Sequence, residues 1–362
     1  MRVLFLSLLL FTTLNGKPQW KLRIPDSSFS IQHLQFSTNA YDRENNIVYA
    51  YGRNHLYSFH LDTYHVDSIA YTSTIPLGDR FTLDKEGKRI LFGLGGKEVK
   101  YAVDINTCKV TVYSNHKEDE ESHYSALYWN DKNQRLGYFG GYGFYAVKNW
   151  AVEYEGNGNW VIVHPNIDNC NPPKRSHSNL ILGHPDKSHL YVLSGFGSCS
   201  GNQLEQECPG GKAIRNDLGV WCWLRDLFLF DYEQHTFKQI IGPHEESIKM
   251  EGIGAFDYHT NTLYIVGGRF PHLMGNKSVD DAFQNKVLKL QIGKDKTFKN
   301  MQVGTKGMKQ TTWYEQYNYC AFYNPKRKSL IWFRSEGMWE LLLRYITFSL
   351  VYNYASSTCL YM

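Results

Sequence analysis

Aromatic and arginine side chains are concentrated in two long segments that separate predicted strands. The segment Phe196 to Arg225 holds Trp221 and Trp223, and the segment Arg269 to Gln284 opens with Arg269 and Phe270. Aromatic rings and guanidinium groups anchor protein interfaces, and aromatic faces also pack against sugar rings. These residue types therefore predict binding rather than a reaction. Trp221 and Trp223 could equally pack against the cysteines of their own segment.

No motif in the sequence indicates an enzymatic reaction. There is no Ser-x-Asp-x-Gly-x-Thr-Trp box, no Gly-x-Ser-x-Gly elbow and no His-Glu-x-x-His helix. The formal charge of +4 over 362 residues is modest and gives no ground for nucleic-acid binding, which needs basic residues clustered on one face. We expect no catalytic residue, no metal, no cofactor and no nucleic-acid partner. Whether the protein is an enzyme stays open, with binding favoured.

The N-terminus predicts export from the cell. An apolar run from Val3 to Leu14 follows Arg2; it is too short to span a bilayer and has the length of a signal-peptide core. We expect a signal peptide over residues 1–16 and a secreted protein with no membrane span in the mature chain. A buried N-terminal strand is the alternative.

Seven cysteines fit an extracellular address, where disulfides form. Their odd number leaves at least one without a partner in the chain. Cys199, Cys208 and Cys222 crowd one Gly- and Asn-rich segment, where a local disulfide is favoured over a metal because their spacing does not match a zinc ribbon. Asn276-Lys277-Ser278 is a possible N-glycosylation acceptor, which fits an exposed loop.

A hairpin pattern recurs six times along the chain. The stretch AFDYHTNTLYIVGG, residues 255–268, has two apolar runs around a polar turn and ends in two glycines. Related stretches end at residues 52, 96, 141, 195 and 335, and the first three set a period of about 45 residues. Each copy is followed by a second hairpin, whose sequence varies more. Four strands at this period predict the blade of a β-propeller, and the 15% aromatic content suits strands.

The repeats resemble the kelch motif. The resemblance rests on three features of a repeat: an apolar second strand that ends in Gly-Gly, a third strand with Tyr or Phe before Asp, and an aromatic residue in the fourth strand. The copy that matches best is RSHSNLILGHPDKSHLYVLSGFG followed by RDLFLFDYEQHTF. The resemblance covers residues 40 to 340. It implies an all-β, kelch-type β-propeller of six four-stranded blades over residues 17–340, similar to the central domain of galactose-oxidase-like proteins. Pro18 to Phe36 is expected to close the last blade; a seventh blade is the alternative. Residues 341–362 carry no blade pattern.

The connections place the candidate site. In a blade with strands a to d, the a–b and c–d turns emerge on one face and the b–c and d–a connections on the other. Both long segments are b–c connections, and the acidic run Asn115 to His123 is a d–a connection, so all three share one face. Long connections are more often functional than not. The alternative is that they only cover the channel mouth. The predicted site for an extracellular protein or glycan comprises Arg53, Tyr142, Phe196, Trp221, Arg269 and Phe270.

The same resemblance implies one enzymatic alternative, a copper-dependent carbohydrate oxidase. Such a site needs Tyr and His ligands near the propeller axis, since imidazole and phenolate groups suit Cu(II). The chain has two Tyr-His pairs, Tyr64-His65 and Tyr258-His259. We expect both in tight turns, the first in a c–d turn and the second in an a–b turn, on the face opposite the long connections.

Overall fold

The computed structural model describes residues 17–73, 80–93, 100–115, 125–143, 146–147, 150–163, 179–182, 188–199, 212–216, 219–241, 253–267, 286–309 and 320–343. Six antiparallel blades with four principal strands each form a β-propeller in these ranges. Helix in the same ranges is confined to α1 (Asp26–Phe29) and a 3-10 turn (Ile31–His33). Neither has the length or hydropathy needed to cross a bilayer. The predicted all-β fold and the count of six blades are confirmed.

The blades follow one another in chain order, each from its innermost strand a to its outermost strand d. Ahead of them comes β1 (Trp20–Pro25). Blade 1 contains β2 (Gln35–Asp42), β3 (Ile47–Tyr51), β4 (His55–His60) and β5 (His65–Ala70); blade 2 contains β6 (Phe81–Asp84), β7 (Arg89–Phe92), β8 (Lys100–Asp104) and β9 (Val110–Ser114). Blade 3 contains β10 (Ala126–Asn130), β11 (Arg135–Phe139), β14 (Ala151–Gly156) and β15 (Asn159–Val163), with the small hairpin β12 (Tyr142–Gly143) and β13 (Ala146–Val147) inserted.

The other three blades complete the ring. Blade 4 contains β16 (Asn179–Leu182), β17 (His189–Cys199), β19 (Gly219–Asp231) and β20 (Thr236–Ile241), with β18 (Lys212–Asn216) added to β19. Blade 5 contains β21 (Ile253–Asp257), β22 (Thr262–Val266), β23 (Lys286–Gln291) and β24 (Lys299–Gln302). Blade 6 contains β25 (Cys320–Asn324), β26 (Ser329–Arg334) and β27 (Gly337–Leu342). Innermost strands of neighbouring blades contact one another around the axis.

The N-terminal strand closes the ring. It is the outermost strand of blade 6, antiparallel to β27, with Trp20 opposite Leu341 and Pro25 opposite Gly337. The predicted closing strand is therefore confirmed. Because β1 precedes blade 1 in the chain, this pairing joins the two ends of the propeller through backbone hydrogen bonds.

The same hydrogen-bond arrangement recurs in the polar a–b turns. In the five such turns that the structure describes, strand a ends in a buried Asp or Asn. The side-chain oxygen of that residue accepts a hydrogen bond from at least one backbone N–H group of the turn. These acceptors are Asp42, Asp84, Asn130, Asp257 and Asn324. Each turn ends in a residue with positive φ: Asn46, Lys88, Gln134, Asn261 and Lys328. Asp and Asn favour such turns because they replace the missing backbone partner.

Aromatic packing fills the space between blades. Between blades 5 and 6, Tyr264 of β22 stacks on Tyr323 of β25 with ring centroids 6.1 Å apart, in a buried cluster that includes Trp332 of β26. Gly267, at the end of β22, has φ of +67°, and a Cβ there would stand 2.8 Å from Trp332. Gly267 is the first of the two glycines that end the stretch 255–268, and its positive φ and the close approach of Trp332 both favour glycine at this position. Gly95 and Gly96 lie outside the described residues.

Candidate binding site

The innermost strand of blade 1 fills the centre of the ring. Its ladder with β3 is interrupted between Phe36 and Tyr41, and β2 contacts the innermost strands of blades 2, 3, 4 and 6. Within the interruption, the side-chain amide of Asn39 donates to the backbone oxygen of Leu127, 2.6 Å away in blade 3. The Thr82 hydroxyl of blade 2 donates to the Asn39 backbone oxygen at 3.2 Å. Residues 37–40 thus tie three blades together at the axis.

On the face formed by the a–b and c–d turns, the buried Asp and Asn side chains of the a–b turns are hydrogen-bonded within their own turns. Besides the Asp and Asn acceptors, the guanidinium of Arg43 in blade 1 lies over the ring of Tyr258 in blade 5, 4.3 Å from its centroid. Burial lowers the pKa of Arg43 to about 10, so it remains a cation at neutral pH. A cation held on an aromatic face is stabilised by the ring quadrupole.

The opposite face carries a β-ribbon that extends blade 4. The β17–β19 ladder runs from His189 opposite Asp231 to Cys199 opposite Val220, with an irregularity between Leu193 and Gly195, while β16 pairs only with residues 190–193. On its other side, β18 pairs with residues 219–223. We name residues 195–199, 212–216 and 219–224 the blade 4 ribbon. The long b–c connection predicted over Phe196 to Arg225 is therefore paired strand, not loop, at residues 196–199, 212–216 and 219–225.

The ribbon carries two of the predicted site residues, and a third lies on a neighbouring connection. Phe196 is opposite Trp223 in the ladder, and Trp221 is opposite Ser198. Tyr142 opens the β12–β13 hairpin in the b–c connection of blade 3, and β13 contacts β17. The structure thus brings the connections that carry Tyr142, Phe196 and Trp221 together on one side of the ring.

Arg53 lies apart from that group. It is an exposed residue in the short b–c turn of blade 1, where the Gly52 N–H donates to the His55 oxygen at 2.9 Å. Its guanidinium makes no hydrogen bond or ion pair with the residues that the structure describes. Blade 2 stands between Arg53 and blade 3. Arg269 and Phe270 lie outside the described residues, as do Asn276, Cys208 and most of the acidic run 115–123.

An ionic cluster that the sequence analysis missed lies where the ring closes. The Glu340 carboxylate of β27 accepts hydrogen bonds from Arg23 of β1 at 2.8 Å and from Arg327 at 2.8 Å. It also accepts from the hydroxyls of Ser329 at 2.8 Å and Tyr64 at 2.6 Å. Burial would raise the pKa of Glu340, but these hydrogen bonds outweigh it and hold the pKa at about 2. We name these five residues the closure cluster.

The tyrosines of both Tyr-His pairs are held in contacts with arginines, and the first of them, Tyr64, belongs to the closure cluster. Tyr64 lies in the c–d turn of blade 1 with φ of +61°, and both Arg23 and Arg327 stand over its ring. Burial and the bond to Glu340 raise the pKa of Tyr64 above its usual value. Tyr258 lies in the a–b turn of blade 5, under Arg43. No group of three metal-ligating side chains is assembled within the described ranges. The copper alternative remains an untested prediction without an observation in its favour.

Two cysteines are buried free thiols. Cys108 lies in the c–d turn of blade 2 and Cys320 begins β25; neither forms a disulfide. Burial raises the pKa of the Cys320 thiol to about 12, although Arg80 opposes the shift. Any disulfide of the kind predicted therefore involves the other five cysteines. Cys199 and Cys222 lie on the two paired strands of the blade 4 ribbon.

The site and the fold define a six-bladed β-propeller, a class consistent with a binding module. No protein-family model matches the chain, and a search of curated protein sequences finds no match. Among solved structures, 725 chains match. One of them, titled "Structure of YjhT", is 14% identical with a TM-score of 0.45, over 70% of this chain and 70% of that chain. A likeness at this level assigns no ligand or activity.

Proposed function

We propose that this protein is a secreted, kelch-type binding module that holds an extracellular protein or glycan on its b–c face. The blade 4 ribbon carries the proposal. It extends the blade beyond the four-stranded frame, and its strands carry Phe196, Trp221 and Trp223. A paired ribbon is a better platform than a free loop, because less conformational entropy is lost when the partner binds.

The difference between the two faces supports this choice. On the turn face, the polar groups of the a–b turns are used in their own hydrogen bonds, and Arg43 is stacked on Tyr258. On the b–c face, Arg53 is exposed and has no polar partner among the described residues. Arginine and aromatic residues are the types that anchor interfaces, and on this face they occur at two separate places, the Arg53 turn of blade 1 and the blade 4 ribbon. This difference favours the b–c face over the turn face as the surface that binds the partner.

A ribbon deletion tests the proposal. Phe196 and Trp223 are directly opposite each other, so an Asn-Gly turn that joins them in place of residues 197–222 makes a two-residue hairpin. Both flanking residues are changed to Thr in the same variant, so that none of the three aromatic side chains is kept. The ladders of β17 with β16 and of β19 with β20 are kept. We expect the deletion to abolish binding in a screen against glycans and cell-surface extracts, while the Tm stays within a few degrees of the parent's.

The matched control alters the turn face instead. Lys132 and Glu233 form an exposed ion pair between blades 3 and 4, and the double variant K132A/E233A leaves the net charge unchanged. We expect this variant to bind like the parent. Binding that survives the ribbon deletion, or a parent protein that binds nothing in the screen, would contradict the proposal.

Secretion has its own test. Expression of the full chain in a secreting eukaryotic cell should release protein into the medium, with an N-terminus at Lys17. Retention inside the cell with Met1 in place would show that the extracellular part of the proposal is wrong, without bearing on the ribbon.

A further inference from the structure

One strand edge of the blade 4 ribbon faces the propeller axis. β16, the innermost strand of the blade, pairs with residues 190–193 of β17, whereas the β17–β19 ladder continues to Cys199. Within the part of the chain that the structure describes, residues 195–199 are therefore paired on one side only. β13 of blade 3 contacts β17 but belongs to a separate two-stranded sheet, so it does not pair with this edge. We name residues 195–199 the open edge.

The sequence of the open edge does not block the approach of another strand. Natural proteins protect exposed strand edges with charged residues, proline or bulges. The open edge reads GFGSC, without charge or proline, and its two glycines leave the backbone uncovered by side chains. The irregularity in its ladder lies before it, between Leu193 and Gly195. By contrast, the opposite edge of the ribbon, β18, carries Lys212 and Arg215.

We infer that the open edge binds an extended peptide segment of a partner protein as an added β-strand. The inference rests on the proposed function, since it names the class of partner that the b–c face holds. An unpaired strand edge offers N–H and C=O groups at alternate residues, and a peptide backbone offers the complementary groups at the same spacing. A glycan has no such repeat of donors and acceptors. The added strand would continue the line of β16 over about 17 Å.

The pairing with β19 prepares the open edge for this role. Residues 195–199 are held extended by their ladder with residues 220–224, so the peptide is the partner that loses most backbone freedom on binding. Alternate residues direct their backbone groups to the open side, which allows about four to six hydrogen bonds along the edge. Such main-chain bonds supply affinity for many sequences, and the side chains at alternate positions of the peptide supply the specificity.

A library of short, random linear peptides displayed on phage provides the probe. A peptide selected on the parent protein is resynthesised with a methyl group on each backbone nitrogen in turn, because N-methylation removes one donor and leaves the side chain in place. We expect affinity to fall by about tenfold or more at every second position of the bound segment. At the positions between, whose N–H groups point away from the open edge, the loss should stay below about threefold.

The two edges of the ribbon provide the matched control on the protein side. In residue-resolved hydrogen exchange, the peptide should protect amides within residues 195–199 and leave residues 212–216 unchanged. The double variant K212A/R215A alters the outer edge alone and should bind the peptide as the parent does. The ribbon deletion removes most of the open edge and should not bind it.

The outcomes separate this inference from the proposed function. Losses without a two-residue period, protection at residues 212–216 instead of 195–199, or peptide binding that survives the ribbon deletion would overturn the inference. So would a library without binders while the ribbon deletion still abolishes binding of a glycan or folded protein, and the proposed function would then stand. Absence of any ribbon-dependent partner from both screens would contradict the proposed function and the inference together.

Discussion

At the scale of single residues, Glu340 connects parts of the chain that lie far apart in sequence. Its carboxylate joins the N-terminal strand through Arg23, the a–b turn of blade 6 through Arg327, and the c–d turn of blade 1 through Tyr64. The side chain of Glu340 is fully buried, while Arg23 and Arg327 are partly exposed. Loss of any one of these four donors leaves part of the buried carboxylate without a hydrogen bond and lowers the stability of the fold.

Replacing that carboxylate should weaken the whole fold. E340Q keeps the shape but leaves two guanidinium groups without their anion, and we expect the free energy of unfolding to fall by about 3 to 5 kcal/mol. Tyr64→Phe removes one hydrogen bond and should cost about 1.5 to 3 kcal/mol. Urea unfolding at neutral pH measures both. A change below 1 kcal/mol for E340Q would show that the closure cluster contributes little.

The pH dependence of stability follows from the same group. The pKa of Glu340 is about 2 in the fold and near 4.5 when the chain is unfolded, so its contribution is fully present above pH 4.5. It is lost as the pH falls from 4.5 towards 2, because the unfolded carboxylate takes up a proton first. We expect the stability gap between the parent and E340Q to narrow over that range. A constant gap would contradict the depressed pKa.

The closure cluster could not be predicted from the sequence, whereas the polar turns could. Arg23 and Glu340 are 317 positions apart, and nothing local to either indicates the other. Tyr64 was noticed only as half of a Tyr-His pair. By contrast, Asp42 and Asp257 accept hydrogen bonds from N–H groups only two or three residues further along the chain, so the sequence alone predicts a polar turn between the apolar runs.

At the scale of elements, the hairpins were predictable and the ribbon was not. Each hairpin has alternating or continuous apolar residues on both sides of a short polar turn, so its two strands pair locally. The ribbon strands are rich in Gly, Ser and Cys at Gly195 to Cys199, a composition typical of loops. Their pairing with residues 219–224 spans a gap in sequence, and tertiary context overrides the weak local preference.

The contact between β1 and β27 depends on a glycine. Gly337 has φ of +137°, and a Cβ there would stand 2.1 Å from the Ile24 oxygen and 2.9 Å from a Leu22 methyl. We expect Gly337→Ala to displace the closing strand and lower the free energy of unfolding by more than about 2 kcal/mol. Thermal unfolding would measure it. Gly293→Ala is the control: φ is +83° but the surrounding space is open, so about 1 to 2 kcal/mol is expected. Equal losses would show that β1 is not held tightly at this point.

At the scale of the whole molecule, we expect closure by β1 to make the ring unfold as a single cooperative unit. Cys108 in blade 2 and Cys320 in blade 6 report on different parts of it, since both are buried. We expect these two thiols to resist alkylation in the native protein and to react together at the rate of global unfolding. Mass spectrometry of the labelled peptides separates them from the other cysteines. Reaction of Cys320 well ahead of Cys108 would show that blade 6 opens alone.

The central claim is that the b–c face, through the blade 4 ribbon, is the binding surface. Hydrogen exchange of the backbone amides, with and without the glycan or protein found in the binding screen, tests it most directly. We expect protection on binding at residues 195–199 and 219–224, and at the Arg53 turn if the partner reaches across blade 2. The a–b turns should exchange as before. Protection confined to the a–b and c–d turns, with the ribbon unchanged, would contradict the account.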